Sequence, residues 1–257
     1  MKHLFWIFSN LYAYIFGFPL LAAGHHAIMN LCLHALGYDN AYKSFSGEEW
    51  FIRHILKPAQ PKVCIDVGAN VGKYTSLLLK HLDAQVYALE PSSSAFQALQ
   101  YVVKAADGRV HAEQVALANY NGSATLFSKT DRATTATISE TLGSGSAIKE
   151  TVLVSTLDSF IEKNSLQHVD FIKIDTEGYE AEVMQGMAKT LLNLKPKYIQ
   201  FEFNILHLQR HTTLYELTNF LIGYRFYRLL PHGMIEIDPR KYLDNIFMFS
   251  NIVAIRK

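Results

Sequence analysis

The chain has 257 residues, of which 49% are hydrophobic and 18% charged, a composition that suits one globular domain with some spare length. Its formal net charge is +1, so no strong electrostatic field favours a nucleic acid or another polyanion as a partner. Cys32 and Cys64 stand in apolar surroundings without a CxxC or Cys/His cluster, which predicts buried thiols and no disulfide or metal site. We therefore expect a cytoplasmic protein that binds neither nucleic acid nor metal.

The beginning of the chain differs from the rest, because LFWIFSNLYAYIFGFPLLAAG (residues 4–24) carries no charge. A membrane-spanning helix needs about 20 apolar residues. Four residues interrupt this run: Ser9, Asn10, Gly17 and Pro19. Three interpretations stay open: helices that pack on the domain or lie on a membrane surface, a membrane anchor, and a cleaved signal peptide. We favour the first, with peripheral membrane contact through residues 4–36, and divide the chain into a helical segment (1–44) and one α/β domain (45–257).

Strand-like and helix-like segments alternate from about residue 62 onwards, a pattern typical of a parallel sheet covered on both faces. The predicted strands are 63–67, 85–89, 110–115, 170–175 and 198–203. Apolar spacings of three and four predict helices at 74–82, 93–104 and 180–192. Two further strand-like runs, GYRFYRLL and NIFMFSNIVAIRK, have no helix between them, so we expect them to pair antiparallel at the edge of the sheet.

One segment between these elements, residues 128–150, is rich in Ser, Thr and Gly and has no sustained apolar period. This composition predicts a long surface loop. Such a loop over the carboxyl edge of a sheet is either a wall of the substrate site or a flexible insertion.

The first strand-to-helix turn lies in VCIDVGANVGKYT, and ligands of open α/β sheets bind at the edge where such turns lie. Gly68 and Gly72 allow a tight turn and the close approach of a ligand to bare backbone. Asp66 can accept hydrogen bonds from the turn or from a ligand cation. A phosphate loop is excluded because Val67 replaces its first glycine and Tyr74 follows the lysine, and the turn also lacks the GxGxxG pattern of dinucleotide sites.

Acidic residues follow two further strands. Glu90 ends VYALEP, where a carboxylate can accept both hydroxyls of a ribose, or merely cap the next helix. In FIKIDTEGYEAEV, alternation places Lys173 and Asp175 on one face, and Glu177 and Glu180 follow at the start of a helix. Carboxylates so close together are costly unless they are solvated, capped or bound to something. Glu180 also suits a helix N-terminus without further role.

Six motifs together resemble those of the FkbM family of S-adenosylmethionine-dependent methyltransferases, in the same order. They are VCIDVGANVGKYT, VYALEPSSSAF, VALANYNGSATL, STLDSFI, FIKIDTEGYEAEVMQGM and YIQFEFN. The resemblance covers roughly residues 45–230. It implies a class I methyltransferase (Rossmann-like) α/β fold: a seven-stranded, mostly parallel sheet, here with an antiparallel edge hairpin and an N-terminal helical segment. It also implies S-adenosylmethionine as cofactor and methylation of a hydroxyl, commonly on a sugar or a polyketide-like metabolite.

The resemblance carries over to single positions. Residues that match the cofactor loop are Asp66, Gly68, Asn70 and Gly72, and Glu90 matches the ribose ligand. Asp175, Glu177 and Gly178 match the family's DVEG signature, with Thr176 in place of the usual Val. In VALAN, Ala118 and Asn119 replace a glycine and an acidic residue, so Asn119 is the counterpart at the adenine end of the site.

Methyl transfer to an alcohol requires a base that takes the hydroxyl proton. We expect Asp175 to be this base and Glu177 to position the acceptor. Glu202 orients the substrate or satisfies backbone amides, and His207 is an ordinary surface or packing histidine. The expected acceptor is a small molecule or a glycan. Two alternatives stay open: a non-catalytic protein that keeps the fold to bind a membrane or partner, and a nucleotide-sugar or NAD-dependent enzyme.

Overall fold

A computed structural model describes residues 2–40, 45–128, 136–138, 145 and 148–257. The α-helices are α1 (Lys2–Phe16), α2 (Ala22–Ala35), α3 (Glu48–Phe51), α4 (Lys57–Ala59), α5 (Lys73–His81), α6 (Ser93–Ala105), α7 (Leu157–Lys163), α8 (Glu180–Gln185), α9 (Ala188–Asn193), α10 (Ile205–Gln209) and α11 (Leu214–Asn219). A π-helical turn (Ile52–Leu56) joins α3 to α4, and 3₁₀ turns lie at Pro19–Leu21 and Tyr242–Asp244. The strands are β1 (Val63–Val67), β2 (Gln85–Leu89), β3 (Val110–Glu113), β4 (Ala116–Leu117), β5 (Gly122–Ser128), β6 (Ala136–Thr137), β7 (Ile148–Ser155), β8 (Phe171–Ile174), β9 (Tyr198–Phe203), β10 (Tyr224–Leu230), β11 (Gly233–Ile237) and β12 (Ser250–Arg256).

The main sheet has eight strands in the order β11-β10-β12-β9-β8-β1-β2-β3. Its five strands from β9 to β3 are parallel, and β12 runs antiparallel to both of its neighbours. The order reverses between β1 and β8, because the chain builds β1, β2 and β3 outward on one side and then returns to place β8 on the other. This is the point at which ligands bind in sheets of this type.

The predicted parallel strands are confirmed, with β1, β2 and β9 at the predicted bounds and β3 and β8 each two residues shorter. Two details of the predicted edge were wrong. GYRFYRLL and NIFMFSNIVAIRK do pair antiparallel as β10 and β12, but β12 lies inside the sheet between β9 and β10. The outer edge is β11, which forms a two-residue hairpin with β10 and raises the strand number from seven to eight.

A second sheet, in the order β4-β7-β5-β6, lies between β3 and α7 in the chain. Its main pair is antiparallel and runs from Gly122 opposite Val154 to Ser128 opposite Ile148. The predicted 128–150 loop therefore starts and ends in strands, while residues 129–135, 139–144 and 146–147 lie outside the described residues.

The predicted helix over 180–192 is two helices, α8 and α9, which are interrupted at Gly186 and Met187. The physical reason is close packing, since a Cβ on Gly186 would lie 2.0 Å from the carbonyl oxygen of Ala118. The second helix also starts with its own cap, because the Asp158 carboxylate accepts hydrogen bonds from the backbone amides of Lys189 and Thr190.

Apolar side chains on both faces of the main sheet form the core of the domain. Within the described residues, none of the apolar side chains of α1 and α2 joins these clusters. Cys64 is buried as predicted, whereas Cys32 in α2 is exposed, so the prediction of two buried thiols was wrong for Cys32. The division between residues 44 and 45 stays a prediction, because residues 41–44 lie outside the described chain.

In the described part of the chain, no single helix is both long and apolar enough to cross a membrane. The pair His3–Phe16 and Pro19–Ala35 meets the length and composition criteria together, with a bend of 101° between the two parts.

Candidate active site

A glycine-rich turn follows β1 at the centre of the sheet. Gly68, Asn70 and Gly72 all have positive φ angles of 79°, 52° and 80°, so the chain reverses within a few residues before α5 begins. The backbone amides of Gly68 and Ala69 both donate to the carbonyl oxygen of Leu89, at 2.9 Å, and attach the turn to the end of β2.

The two glycines have different neighbours. A Cβ on Gly68 would lie 1.7 Å from the carbonyl oxygen of Asp175, so this glycine allows the ends of β1 and β8 to meet at the pocket. A Cβ on Gly72 would lie 2.7 Å from Leu99 and 2.8 Å from Val102, so this glycine allows α6 to pack against the turn. The tight turn predicted at both glycines is confirmed, and close approach of a ligand stays a prediction. The atoms nearest to each Cβ position are those of the protein itself.

Glu90 follows β2 and lines the same pocket as Gly68. One of its carboxylate oxygens accepts from the backbone amide of Asn70 and the other from that of Ser92, both at 2.8 Å. Because each carboxylate oxygen can accept two hydrogen bonds, one acceptor position on each oxygen is left for a ligand. Burial raises the pKa of Glu90 to about 7, against the opposing effect of the two amides.

The wall of the pocket beside Glu90 is apolar, and the second sheet contributes part of it. The residues of this wall are Val115, Ala116, Leu117, Leu126, Ala136 and Ile138. Two of them, Ala136 and Ile138, come from the segment that was predicted to be a loop. Of the two alternatives for this segment, their position favours a wall of the site.

Asp175 and Glu177 line the opposite side of the pocket, directly after β8. Lys173 donates to Asp175, with 2.5 Å between Nζ and Oδ2, so the same-face placement that strand alternation predicted is confirmed. The ammonium group of Lys173 is buried, which alone would lower its pKa. The negative charges of Asp175 and Glu48 outweigh this effect, so the pKa of Lys173 is raised and the lysine stays charged.

Glu177 and Glu202 are both pushed towards their neutral forms. Burial, together with the negative charges of Asp175 and Glu180, raises the pKa of Glu177 to about 8. Burial and the same group of acids raise the pKa of Glu202 well above its ordinary value, although Asn204 donates a hydrogen bond to it. Glu202 lies in β9 and is not among the residues that line the pocket.

Glu180 and His207 form a buried pair beneath the site. The two side chains are 1% exposed, and 2.9 Å separates His207 Nε2 from Glu180 Oε2. Glu180 also accepts from the backbone amide of Thr176, and His207 Nδ1 accepts from that of Asn204. Burial opposes ionisation of Glu180, but His207 outweighs it and the pKa of Glu180 is lowered. His207 is thus a packing histidine that connects α8 to α10.

A second group of buried polar side chains was only partly predictable. The hydroxyl of Tyr74 donates to Gln200 at 2.7 Å, and Gln200 donates to Glu48 at 3.0 Å. Lys173 lies 4.7 Å above the ring of Tyr74 and connects this group to Asp175. The lysine in a buried strand was visible as a signal in the sequence, whereas the hydrogen bonds that join the group were not.

Three residues that were predicted to contact the cofactor, Asp66, Gly72 and Asn119, are not among the residues that line the pocket. Asp66 is fully buried below the turn and accepts from the hydroxyl of Thr75 at 2.6 Å. Burial raises the pKa of Asp66, against the opposing effects of Lys173 and Thr75. Asn119 is exposed and donates to Gln185 at 2.7 Å, outside the residues that line the pocket. Contacts of these three residues with a cofactor stay predictions.

The pocket residues suit S-adenosylmethionine. Glu90 offers two acceptor positions for ribose hydroxyls, the apolar wall suits a flat adenine ring, and Asp175 complements the positive charge of the methionine part. Within the described residues, no group of three or more His, Cys, Asp or Glu side chains is arranged to hold a metal ion.

This strand order, with a glycine turn after β1 and a carboxylate after β2, defines the class I methyltransferases. The chain belongs to the FkbM methyltransferase family, because residues 66–227, more than half of its length, match the Methyltransferase FkbM domain.

A characterised relative is the hexuronic acid methyltransferase AglP of Haloferax volcanii, which is 27% identical over 150 residues. The match covers 58% of this chain and 60% of that protein, so it spans less than two thirds of the relative's length.

Two solved structures are also similar. One is an O-methyltransferase from Bacillus cereus in complex with SAH, with 13% identity, a TM-score of 0.49 and coverage of 96% of this chain and 97% of that one. The other is precorrin-6y C5,15-methyltransferase from Geobacter metallireducens GS-15, with 11% identity, a TM-score of 0.42 and coverage of 80% and 88%.

Proposed function

We propose that this protein transfers a methyl group from S-adenosylmethionine to a hydroxyl group of a sugar or glycan. The observation that carries the proposal is one pocket in which Glu90, with two acceptor positions to spare, faces Asp175 and Glu177 across the glycine turn. The family match supports the reaction type, and the hexuronic acid named in the relative supports a sugar as the acceptor.

S-adenosylmethionine supplies an electrophilic methyl group on a sulfonium sulfur. The chain must then align the acceptor oxygen, remove its proton and exclude water. Asp175 is the proton acceptor in this proposal, because it lies at the pocket and Lys173 fixes its orientation with a charged hydrogen bond.

In this proposal Glu177 positions the acceptor through a protonated carboxyl group. With a pKa of about 8 it is mostly neutral at neutral pH, so it can donate a hydrogen bond to an oxygen of the acceptor. Burial and the neighbouring acids also raise the pKa of Glu202 well above its ordinary value, which favours its neutral form beside Asp175. We therefore retain all three residues as catalytic candidates, with distinct roles.

The test is transfer of an isotope-labelled methyl group to a panel of neutral glycosides, hexuronic acid glycosides and non-sugar alcohols. Wild-type protein should label a glycoside, and Asp175→Asn should reduce turnover by roughly 10²–10⁴-fold, the usual contribution of a positioned base. Asp107→Asn, the same chemical change at an exposed turn, is the matched control and should keep wild-type turnover.

Two results would contradict the proposal in different ways. Labelling of non-sugar alcohols alone would refute the acceptor class but not the reaction. Equal turnover by wild type and Asp175→Asn would refute the assignment of the base.

A further inference from the structure

The two N-terminal helices have an unusual surface. α1, α2 and the turn between them, residues 2–35, are called here the N-terminal helix pair. Its apolar side chains are exposed to an extent that is rare in a domain, for example Phe5 at 75%, Trp6 at 63% and Leu20 at 91%. Residues 3–38 contain no Asp, Glu, Lys or Arg. Contiguous apolar surface of this kind marks an interaction site.

The apolar surface of α1 extends around the whole helix. Residues 4–8 are five consecutive apolar side chains, and at 100° per residue they cover every direction around the axis. A helix that docks in a protein groove needs apolar residues on one face only, at spacings of three and four. A helix that is apolar on all sides is instead surrounded by apolar material, either a protein core or the interior of a bilayer.

The polar side chains of α1 are also arranged for an apolar environment. Ser9 donates to the carbonyl oxygen of Phe5 and Asn10 to that of Trp6, both at 2.8 Å. Each side chain therefore satisfies its donor on its own helix, as polar residues in membrane helices do. In α2, by contrast, His26, Asn30 and His34 follow one another at spacings of four and form one polar stripe.

The residues that directly follow the N-terminal helix pair attach it to the domain. Tyr38 is 1% exposed, its hydroxyl donates to the carbonyl oxygen of Leu243, and its ring lies 3.8 Å from the guanidinium of Arg228. The amide of Asp39 donates to the carbonyl oxygen of Phe249 at 2.7 Å, next to the start of β12. β10 runs parallel to β9, because both are antiparallel to β12, so this attachment lies at the edge of the sheet where the pocket opens.

We propose that the N-terminal helix pair inserts into a lipid bilayer and holds the domain at the membrane, with the attached edge of the sheet next to it. The helices have 15 and 14 residues, so each is about 20 Å long, shorter than the roughly 30 Å apolar core of a bilayer. With the 101° bend between them, neither helix crosses the bilayer as a straight span. The occupant of this surface is thus the acyl-chain region, and no anionic headgroup is required.

The first test is flotation of the full-length protein with phosphatidylcholine vesicles in a density gradient. We expect the protein to float with these neutral vesicles and to stay bound at high salt, because residues 3–35 contain no Asp, Glu, Lys or Arg. A triple variant, Phe5→Ser, Phe8→Ser and Ile15→Ser, should reduce the bound fraction at least tenfold. The matched control is Leu192→Ser with Ile222→Ser, which removes exposed apolar side chains from the domain and should float like wild type.

A second readout uses the two tryptophans of the chain. Trp50→Phe leaves Trp6 as the only tryptophan. Its emission should shift to the blue on addition of vesicles and should be quenched by lipids with brominated acyl chains. Circular dichroism and thermal unfolding establish that the serine variants are folded.

Three results would overturn the proposal. The first is wild-type protein that stays at the bottom of the gradient with Trp6 unquenched. The second is an oligomer in solution that the triple variant dissociates, which would make a second copy of this chain the occupant. The third is a mature chain from which α1 has been removed, as expected of a signal peptide.

Discussion

Asp175 and Glu177 are two residues apart, yet their surroundings give them different chemistry. Asp175 forms an ion pair with Lys173, whereas Glu177 has no such cation at hydrogen-bond distance among the described residues and lies between the negative charges of Asp175 and Glu180. The left-handed backbone at Glu177, with φ of 53°, turns the chain at this point and is followed by Gly178, also at positive φ. Such different environments allow one acid, Asp175, to act as a base while the other, Glu177, keeps its proton.

The pH dependence of kcat/KM tests these two roles. If neutral Glu177 positions the acceptor, kcat/KM should fall as pH rises above about 8. Glu177→Gln keeps a neutral donor, so it should retain activity within about tenfold of wild type and lose this alkaline decline. A rise of kcat/KM through pH 8 in wild type, abolished in Glu177→Gln, would instead make Glu177 the base.

Sequence reasoning identified the acids of the site, because alternation along a buried strand fixes which side chains share a face. It could not identify their partners. Tyr74 and Gln200 are 126 positions apart, and their hydrogen bond follows only from the packing of α5 over β9. Gln200 and Glu48 are 152 positions apart, and their hydrogen bond likewise follows only from the packing of α3 near β9.

At the level of elements, the glycine turn after β1 holds two strands together. Gly68 has positive φ and leaves space for the carbonyl oxygen of Asp175. Any side chain at this position would therefore strain the backbone and also clash with that oxygen. The predicted reason, room for a ligand, was incomplete, because the contact between β1 and β8 is a backbone contact that no local pattern reveals.

Gly68→Ala should therefore destabilise the protein by at least about 3 kcal/mol, since backbone strain and a steric clash add together. Gly108→Ala is the matched control: Gly108 also has positive φ, of 76°, but nothing lies within 4 Å of its Cβ position. Gly108→Ala should lower the free energy of unfolding by only about 1 kcal/mol. If urea unfolding showed the same loss of stability for Gly68→Ala and Gly108→Ala, the close approach of β1 and β8 would be contradicted.

Strands buried on both faces were the most predictable elements, as in β1, where all five residues are buried. β7 was missed although its inward residues alternate, because it adjoins a segment rich in Ser, Thr and Gly. β11 was missed because its exposed edge position leaves a weak apolar pattern. The position of β12 inside the sheet depends on long-range pairing with β9, which the sequence of neither strand predicts by itself.

At the scale of the whole molecule, burial of acids at the site affects stability as well as chemistry. The pKa values of Glu90 and Glu177 are raised from 4.5 to about 7 and about 8 in the folded protein. Between pH 4.5 and these raised pKa values, the folded state thus binds more protons than the unfolded state. The stabilising contribution is fully present below pH 4.5 and is lost as pH rises through 7 to 8.

The free energy of unfolding should consequently fall between pH 5 and pH 9, and Glu177→Gln should reduce that fall by roughly 2–5 kcal/mol. Glu113→Gln, at the end of β3 where Lys163 pairs with the acid on the surface, is the control and should keep the wild-type slope. Urea unfolding across this pH range provides the measurement. Identical slopes in wild type and Glu177→Gln would show that Glu177 is not held in its neutral form.

Calorimetric titration shows whether the pocket after β1 and β2 binds S-adenosylmethionine. We expect micromolar binding of S-adenosylmethionine and of its demethylated product, no binding of NAD, and affinity about 10–100-fold weaker in Glu90→Gln, which loses charge-assisted hydrogen bonds. Folded wild-type protein that binds neither methyl donor nor product, or that binds NAD in their place, would contradict this expectation.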